Sequence, residues 1–300
     1  MSTNGSCPVC RVAVKWVPRL TLEDVDGDES FDVVECPSCT VLRTLPVPDD
    51  LARYYGAEIG RMMTARESRL HTIARRVLLE REARRILPHV NPTAVLDIGA
   101  GPGDFAALIH GKGIRTMTVD AQPEPPVCTR NIRGLAHYQI EFDSGDIAGL
   151  DSTPGRLALL RHVLEHVKDP REFLLRLVGH GVTHFYIVVP NAGCLERRLF
   201  GRSWYLWDPP RHLWHFTLAA LDRLFRELDF EVIVRGRDTV PNITPSLYRL
   251  LRVRGWPPVV TNRFRPKGAL AALSAPINLL IPGNVLWMLV RSRPSAPGSS

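Results

Sequence analysis

The stretch Val95-Leu96-Asp97-Ile98-Gly99-Ala100-Gly101-Pro102-Gly103-Asp104-Phe105 decides the fold of this 300-residue chain. An apolar run over 94–98 predicts a buried strand, and residues 105–110 predict a helix. Three glycines at alternate positions join them, which lets the backbone turn sharply and pass close under a ligand. Outward from this turn, strands are expected at 114–119, 138–142, 157–162, 183–189, 230–234 and 285–290. Helices are expected at 170–178 and 218–228. Strands alternating with helices imply a parallel sheet with right-handed crossovers. The expected fold class is therefore α/β, a doubly wound Rossmann-like seven-stranded sheet. Such sheets bind ligands beyond the carboxyl ends of their strands. The sixth and seventh strands are expected to pair as an antiparallel hairpin, leaving an insertion at about 238–283.

Composition sets the outer limits. Hydrophobic residues make up 45% and charged residues 23%, which excludes a mainly disordered or fibrous chain. The formal charge is +7, but it is not spread evenly. Residues 239–300 hold no acid and eight basic residues, among them Arg249, Arg252, Arg254, Arg263, Arg265 and Lys267. The basicity belongs to one region and does not imply a chain-wide nucleic-acid surface. The polar first ten residues lack the apolar core of a secretory signal, so a cytoplasmic protein with reduced cysteines is expected. Residues 268–290 carry no charge, but Pro276, Pro282, Gly283 and Asn284 interrupt them. A helix, a turn and a strand are expected there rather than a membrane span.

Cys7-Pro8-Val9-Cys10 and Cys36-Pro37-Ser38-Cys39 form two C-x2-C knuckles. Two such turns can aim four thiolates at one tetrahedral Zn²⁺. Between them Val12, Val14 and Trp16 alternate with polar or small residues, Asp26-Gly27-Asp28 signals a turn, and 31–35 reads as the return strand. Residues 1–48 are read as a zinc ribbon, with Cys7, Cys10, Cys36 and Cys39 as ligands of a structural metal. Residues 49–92 are read as a helical linker. Within it a long helix at 61–87 carries an apolar stripe of Leu70, Ile73, Ala74, Val77 and Leu78, with its charged residues solvated on the other faces. Residues 93–300 form the main domain. Cys128 and Cys194 are expected to be half-buried thiols.

The glycine turn admits two cofactor readings. A dinucleotide fingerprint started at Gly99 needs glycine at 104, where Asp stands; the looser form started at Gly101 fits with Ala106. A carboxylate at Asp97 would repel a pyrophosphate but suits an ammonium group. Asp120, at the end of the next strand, suits ribose hydroxyls. Together they favour S-adenosylmethionine (SAM).

Further blocks point the same way. These are Leu160-Arg161-His162-Val163-Leu164-Glu165-His166-Val167-Lys168-Asp169-Pro170, then Pro190-Asn191, then 208–217 from Asp208-Pro209-Pro210-Arg211-His212 to Phe216-Thr217. With the glycine turn they resemble a class I SAM-dependent methyltransferase of the small-molecule type. The zinc knuckles followed by Tyr54-Tyr55 resemble one branch, which acts on sugars, lipid-linked glycans, quinones or secondary metabolites. The resemblance implies that Asp97, Gly99, Gly101 and Gly103 line the methionine end of SAM. It implies that Asp120 holds the ribose and that Asp146 contacts the adenine. The chain departs from the pattern twice. Pro123, Pro125 and Pro126 block the helix that normally follows the ribose acid, and Arg156 stands where Asp is common.

A hydroxyl acceptor must lose a proton, which suits a histidine near neutral pH. His166, with Glu165 beside it to orient or charge it, is the first candidate base, and His212 the second. His162 is expected to pack inside strand four. Trp204, Tyr205 and Trp207 either cover a sugar or ring face or form a small aromatic core.

The leading function is methylation, as O-methylation, of a small molecule, sugar or lipid-linked glycan in a biosynthetic reaction. One alternative is an RNA base methyltransferase, since some 23S rRNA guanine methyltransferases also resemble a ribbon fused to this fold. They favour a mixed cysteine and histidine zinc set. Residues 1–50 hold four basic and nine acidic residues, a poor surface for phosphate, so nucleic acid is not the expected partner. Another alternative is a non-catalytic SAM-fold interaction protein. The apolar, basic stretch 245–281 either closes over the substrate or lies at the inner face of the membrane as a peripheral contact.

Overall fold

The computed structural model describes residues 4–24, 29–55, 69–142, 146–147, 149–150, 152–240, 243–253 and 283–293. In chain order the strands are β1 (Asn4–Ser6), β2 (Ala13–Lys15), β3 (Val17–Glu23), β4 (Ser30–Glu35), β5 (Leu42–Leu45), β6 (Val95–Ile98), β7 (Thr116–Asp120), β8 (Ala136–Glu141), β9 (Asp146–Ile147), β10 (Arg156–Arg161), β11 (Val182–Pro190), β12 (Trp214–His215), β13 (Phe230–Asp238) and β14 (Val285–Ser292). The α-helices are α1 (Arg69–Ile86), α2 (Asp104–His110), α3 (Pro170–Gly179), α4 (Leu195–Phe200), α5 (Leu218–Glu227) and α6 (Ile243–Val253).

The chain divides into two compact units. One comprises Asp50–Val188, Leu224–Arg235 and Met288–Ser300. Its large sheet has the order β13-β14-β11-β10-β6-β7-β8-β9. The pairs β10–β11, β10–β6, β6–β7 and β7–β8 are parallel, and the short β9 closes the edge antiparallel to β8. Both faces of the central strands are covered. Val95, Leu96, Ile98, Leu157, Leu159 and Leu160 are all fully buried, as an apolar run in a parallel sheet requires. The seven expected strands are all present, and β13 and β14 are neighbours. This is the Rossmann-like α/β architecture.

Helix α1 departs from expectation. Ile73, Val77 and Leu78 are about three-fifths exposed, and the inward face is Leu79, Ala83 and Ile86. Ion pairs accompany this rotation. Arg75 pairs with Asp104, Glu80 with Lys112 at 2.7 Å and Glu82 with Arg161 at 3.0 Å. Three such pairs, two of them on the α2 side, form while 79, 83 and 86 face the core. The expected start of this helix lies outside the described residues.

Arg156, which departs from the family pattern, lies away from the strands' carboxyl ends. It begins β10, at the amino end of the sheet, and is fully buried. Its Nη1 donates to the carbonyl of His180, the C-cap of α3, at 2.5 Å. It therefore caps a helix at the edge of the sheet opposite the strands' carboxyl ends. The proline-rich segment after Asp120 forms turns and bends without helix until β8, as the prolines dictate.

The other unit comprises Met1–Asp49, Val189–Arg223 and Gly236–Trp287. β1 pairs with β2, and the first knuckle is the turn that joins them. The return strand expected at 31–35 is β4, but its antiparallel partner is β3 rather than the alternating stretch 12–16, whose β2 pairs with β1; the Asp26-Gly27-Asp28 turn lies outside the described residues. The second knuckle turns β4 into β5, and β12 adds to β5, giving a sheet in the order β12-β5-β4-β3. Trp204 and Trp207 are buried in one core with Leu22, Val33, Leu42 and Leu206. Only Tyr205 of the aromatic group is exposed. Helix α6 was not foreseen. Its Arg249 donates to the carbonyls of Trp204 and Tyr205, and its Ser246 bridges buried Glu196 to the Tyr205 amide. Arg249 is thus engaged within the protein. Most of the apolar, basic insertion, 254–282, lies outside the described residues. Among the described residues no helix is long and apolar enough to cross a membrane.

Candidate active site

The carboxyl ends of β6 and β7 build a cradle from the glycine turn. All three glycines have positive φ: +64° at Gly99, +54° at Gly101 and +81° at Gly103. Their surroundings differ. A Cβ on Gly99 would stand 2.7 Å from Val163 Cγ2, and one on Gly103 would stand 2.7 Å from Pro126 Cβ and 2.8 Å from Thr129 Cγ2. At Gly101 nothing lies within 4 Å. The turn is clamped by protein at both ends and open in the middle, the shape a cradle for a ligand needs. The proline-rich segment supplies one clamp, and the amide of Cys128 donates to the Pro102 carbonyl at 2.9 Å. The segment that breaks the family's helix is therefore packed onto the glycine turn. Cys128 itself is exposed, against expectation, while Cys194 is buried and caps α4.

Asp97, the next-to-last residue of β6, is almost wholly buried, and its Oδ2 accepts from the Ala106 amide in the first turn of α2 at 3.1 Å. Burial pushes its carboxyl up to about 7, against the pull of nearby Arg161. Asp120 ends β7, half-buried, and accepts from the Gln122 amide at 3.2 Å. Asp146 is exposed on edge strand β9, where its carboxylate lies 3.8 Å from Arg176 and 4.0 Å from His180. Phe142, just past β8, stacks on Phe173 at 6.2 Å and approaches Gly99. No spacing marks that ring, and only the folded chain shows it.

The loop after β10 carries the candidate base. Val163, which closes on Gly99, is three residues before His166. His166 Nδ1 lies 3.0 Å from the Tyr55 hydroxyl, with the two rings 5.9 Å apart. His162 is not inside the strand: it follows β10 with φ +58°, its ring is 43% exposed, and its Nδ1 lies 3.1 Å from the Glu165 carboxylate. Left-handed backbone here turns the chain out of the strand and swings the ring away from the core. Glu165 is fully buried and pairs with His162.

A family profile described as "Methyltransferase domain" matches residues 69–234, more than half of the chain. The chain belongs to the methyltransferase-domain family. It is a class I SAM-dependent methyltransferase. The solved Burkholderia thailandensis 1,6-didemethyltoxoflavin-N1-methyltransferase is 17% identical, with a TM-score of 0.50 over 93% of this chain and 100% of that one. A chain from a Haloferax volcanii complex containing the Trm112 methyltransferase activator gives 0.55 at 15% identity, over 83% and 100%. A SAM-dependent methyltransferase from Anabaena variabilis gives 0.51 at 13% identity, over 83% and 98%. These likenesses concern the fold. Comparison with curated proteins found no match.

The other unit of the methyltransferase holds the four knuckle cysteines. Cys7, Cys10, Cys36 and Cys39 are buried, with all four sulfurs within 4.8 Å of one another. Cys7 and Cys39 are 3.7 Å apart, and Cys10 and Cys36 3.8 Å. Four sulfurs at about 2.3 Å from a tetrahedral zinc lie about 3.8 Å from each other, so the donor set fits that ion. His212, in the same unit, is buried; its Nδ1 lies 2.9 Å from the Leu206 carbonyl and therefore donates to it. Its Nε2 lies 3.9 Å from the Asp208 carboxylate.

Proposed function

We propose that this methyltransferase transfers the methyl group of SAM to a hydroxyl of a small molecule, sugar or lipid-linked glycan, as a cytoplasmic biosynthetic enzyme. The observation that carries this reading is the loop 161–169, which both closes Gly99 through Val163 and presents His166 held by Tyr55. Donor cradle and candidate base thus share one rigid loop. In the Burkholderia relative, 1,6-didemethyltoxoflavin and S-adenosylhomocysteine are bound, which supports a small-molecule acceptor. The five net negative charges of residues 1–50 speak against an RNA substrate.

SAM supplies an electrophilic methyl on a sulfonium. Gly99, Gly101 and Gly103 cradle its methionine end, Asp120 accepts from the ribose hydroxyls, and Asp146 is assigned to the adenine side. Asp97 carries negative charge under the turn and fixes it to α2. With SAM bound, its sulfonium would supply an in-line methyl electrophile for the acceptor oxygen, and His166 Nε2 would take the acceptor's proton. For that, Nδ1–H must donate to the Tyr55 oxygen, an arrangement the 3.0 Å contact allows. Glu165, whose carboxylate lies within 4.8 Å of a His166 ring nitrogen, is assigned to orient or charge that ring, and it also pairs with His162. His212 is the second base candidate. Alignment of acceptor and methyl supplies much of the acceleration, about 7–11 kcal/mol for well-oriented partners. Zn²⁺ is assigned to the four cysteines as a structural ion. Peripheral membrane contact through 245–281 belongs to this proposal on sequence grounds, with Arg249 withdrawn from the lipid-facing set because it is engaged internally.

The test is methyl transfer from labelled SAM to a panel of hydroxylated sugars, quinols and phenols. Transfer to one of them, lost in His166→Ala, is expected. Transfer only to RNA would overturn the acceptor assignment.

A further inference from the structure

The ribbon is joined to the segment that carries His212. β5 pairs with β12 across about 170 residues of sequence, with Arg43 opposite Trp214 and Leu42 opposite His215. At the centre is Thr44, fully buried. Its amide donates to the Leu213 carbonyl at 2.9 Å, and its hydroxyl donates to the His212 carbonyl at 2.7 Å. The same hydroxyl lies 2.9 Å from His215 Nε2. A hydroxyl has one proton, and His212 has taken it. The Thr44 oxygen can therefore only accept from His215, which fixes the proton of that ring on Nε2. Burial holds His215 well below the usual histidine range, so the ring stays neutral. Trp214 between them is gripped by the Arg43 guanidinium at 4.8 Å and by Trp16 at 6.4 Å.

Thr44 is also tied to the metal side. β5 begins three residues after Cys39, and the second knuckle is closed by Thr40 N–H to Cys36 O at 2.8 Å and Cys36 N–H to Val41 O at 2.9 Å. These bonds join the second knuckle directly to the residues that lead into β5. We propose that Thr44 is a positioning residue through which the filled cysteine cluster sets the placement of His212 and the tautomer of His215. The ribbon is then part of the framework that holds His212 rather than an appended module. This inference rests on the zinc assignment and on the role given to His212 above, and the experiment separates them.

The experiment uses the full chain carrying ¹⁵N-labelled imidazoles, with metal content measured on each sample. In the zinc-loaded protein, His215 is expected as the Nε2–H tautomer and His212 as Nδ1–H. Thr44→Val is expected to shift both sets of ring resonances and to remove the fixed His215 tautomer, with zinc content and SAM affinity unchanged within twofold. Thr44→Ser, which keeps the hydroxyl, is expected to restore both. Stripping zinc with a chelator is expected to shift the same resonances. Wild-type ring resonances in Thr44→Val, or in zinc-stripped protein, would overturn the coupling. If purified protein holds no metal, the zinc assignment fails and the inference with it. A coupled spectrum with full turnover in His212→Ala would overturn only the catalytic role of His212.

Discussion

Val163 sets its Cγ2 methyl 2.7 Å from the point where a Cβ on Gly99 would stand. The neighbouring Gly101 faces open space with the same left-handed backbone. The two glycines should therefore respond differently to alanine. Gly99→Ala adds overpacking to left-handed strain and is expected to cost about 2–5 kcal/mol of stability. Gly101→Ala pays the strain alone, about 1–2 kcal/mol, but sets a methyl in the cradle and should weaken SAM at least tenfold. Thermal melts and titration calorimetry measure both. Wild-type SAM affinity in Gly101→Ala would remove the ligand from that face of the turn.

His166→Ala is expected to lower turnover by about 10²-fold or more, with SAM affinity little changed. Tyr55→Phe should lower it less and change its pH profile, because the ring loses its hydrogen-bond partner at Nδ1. If His212→Ala is damaging and His166→Ala mild, the two histidines exchange roles. Steady-state kinetics with the identified acceptor decide.

Asp97 gives a pH dependence with a definite sign. Its carboxyl is pushed up to about 7 in the folded protein, against about 3.9 unfolded. Ligand-free stability should therefore fall as pH rises from about 4 to 7, because the native state resists ionisation there. SAM is cationic and prefers the ionised form, so its affinity should rise with pH through about 7 and then level off. Asp97→Asn should flatten both curves. Melting and calorimetry at pH 5.5 and 8.5 would show it.

Purified protein is expected to hold about one zinc per chain, with four thiolate ligands. Metal analysis after purification without chelator checks this, and Cys36→Ser should lose the ion while keeping SAM affinity. A metal content near zero with reduced cysteines would contradict it.

The basic stretch 245–281 should sediment with anionic vesicles and release with salt if it contacts a membrane. Arg263, Arg265 and Lys267 are the residues to substitute, since Arg249 is already bound to Trp204 and Tyr205. Vesicle binding that survives their replacement, or none at low salt, would leave the stretch to the substrate side.

The sheet was legible because its signals are local. An apolar run buried on both faces, a glycine turn and an acid at each strand end all lie within a few residues of one another. The knuckle cysteines were legible for the same reason. What escaped was set by distant partners. The rotation of α1 buries Leu79, Ala83 and Ile86 rather than its longer apolar stripe, and it is accompanied by ion pairs to Asp104, Lys112 and Arg161. Strand β12 is two residues long and has no period to read; β5 completes it. Helix α6 takes its place through Ser246 and Arg249 contacting residues about 40 positions earlier. His162 was misread by one residue, enough to move it from the strand into the turn.

The central claim is that the ends of β6 and β7 hold the methyl donor through Asp97 and Asp120. Titration calorimetry of SAM into the full chain, Asp97→Ala and Asp120→Ala tests it most directly. The wild type is expected to bind, and each variant to lose at least tenfold in affinity, about 1.4 kcal/mol. Unchanged affinity in both variants would contradict the assignment of the site.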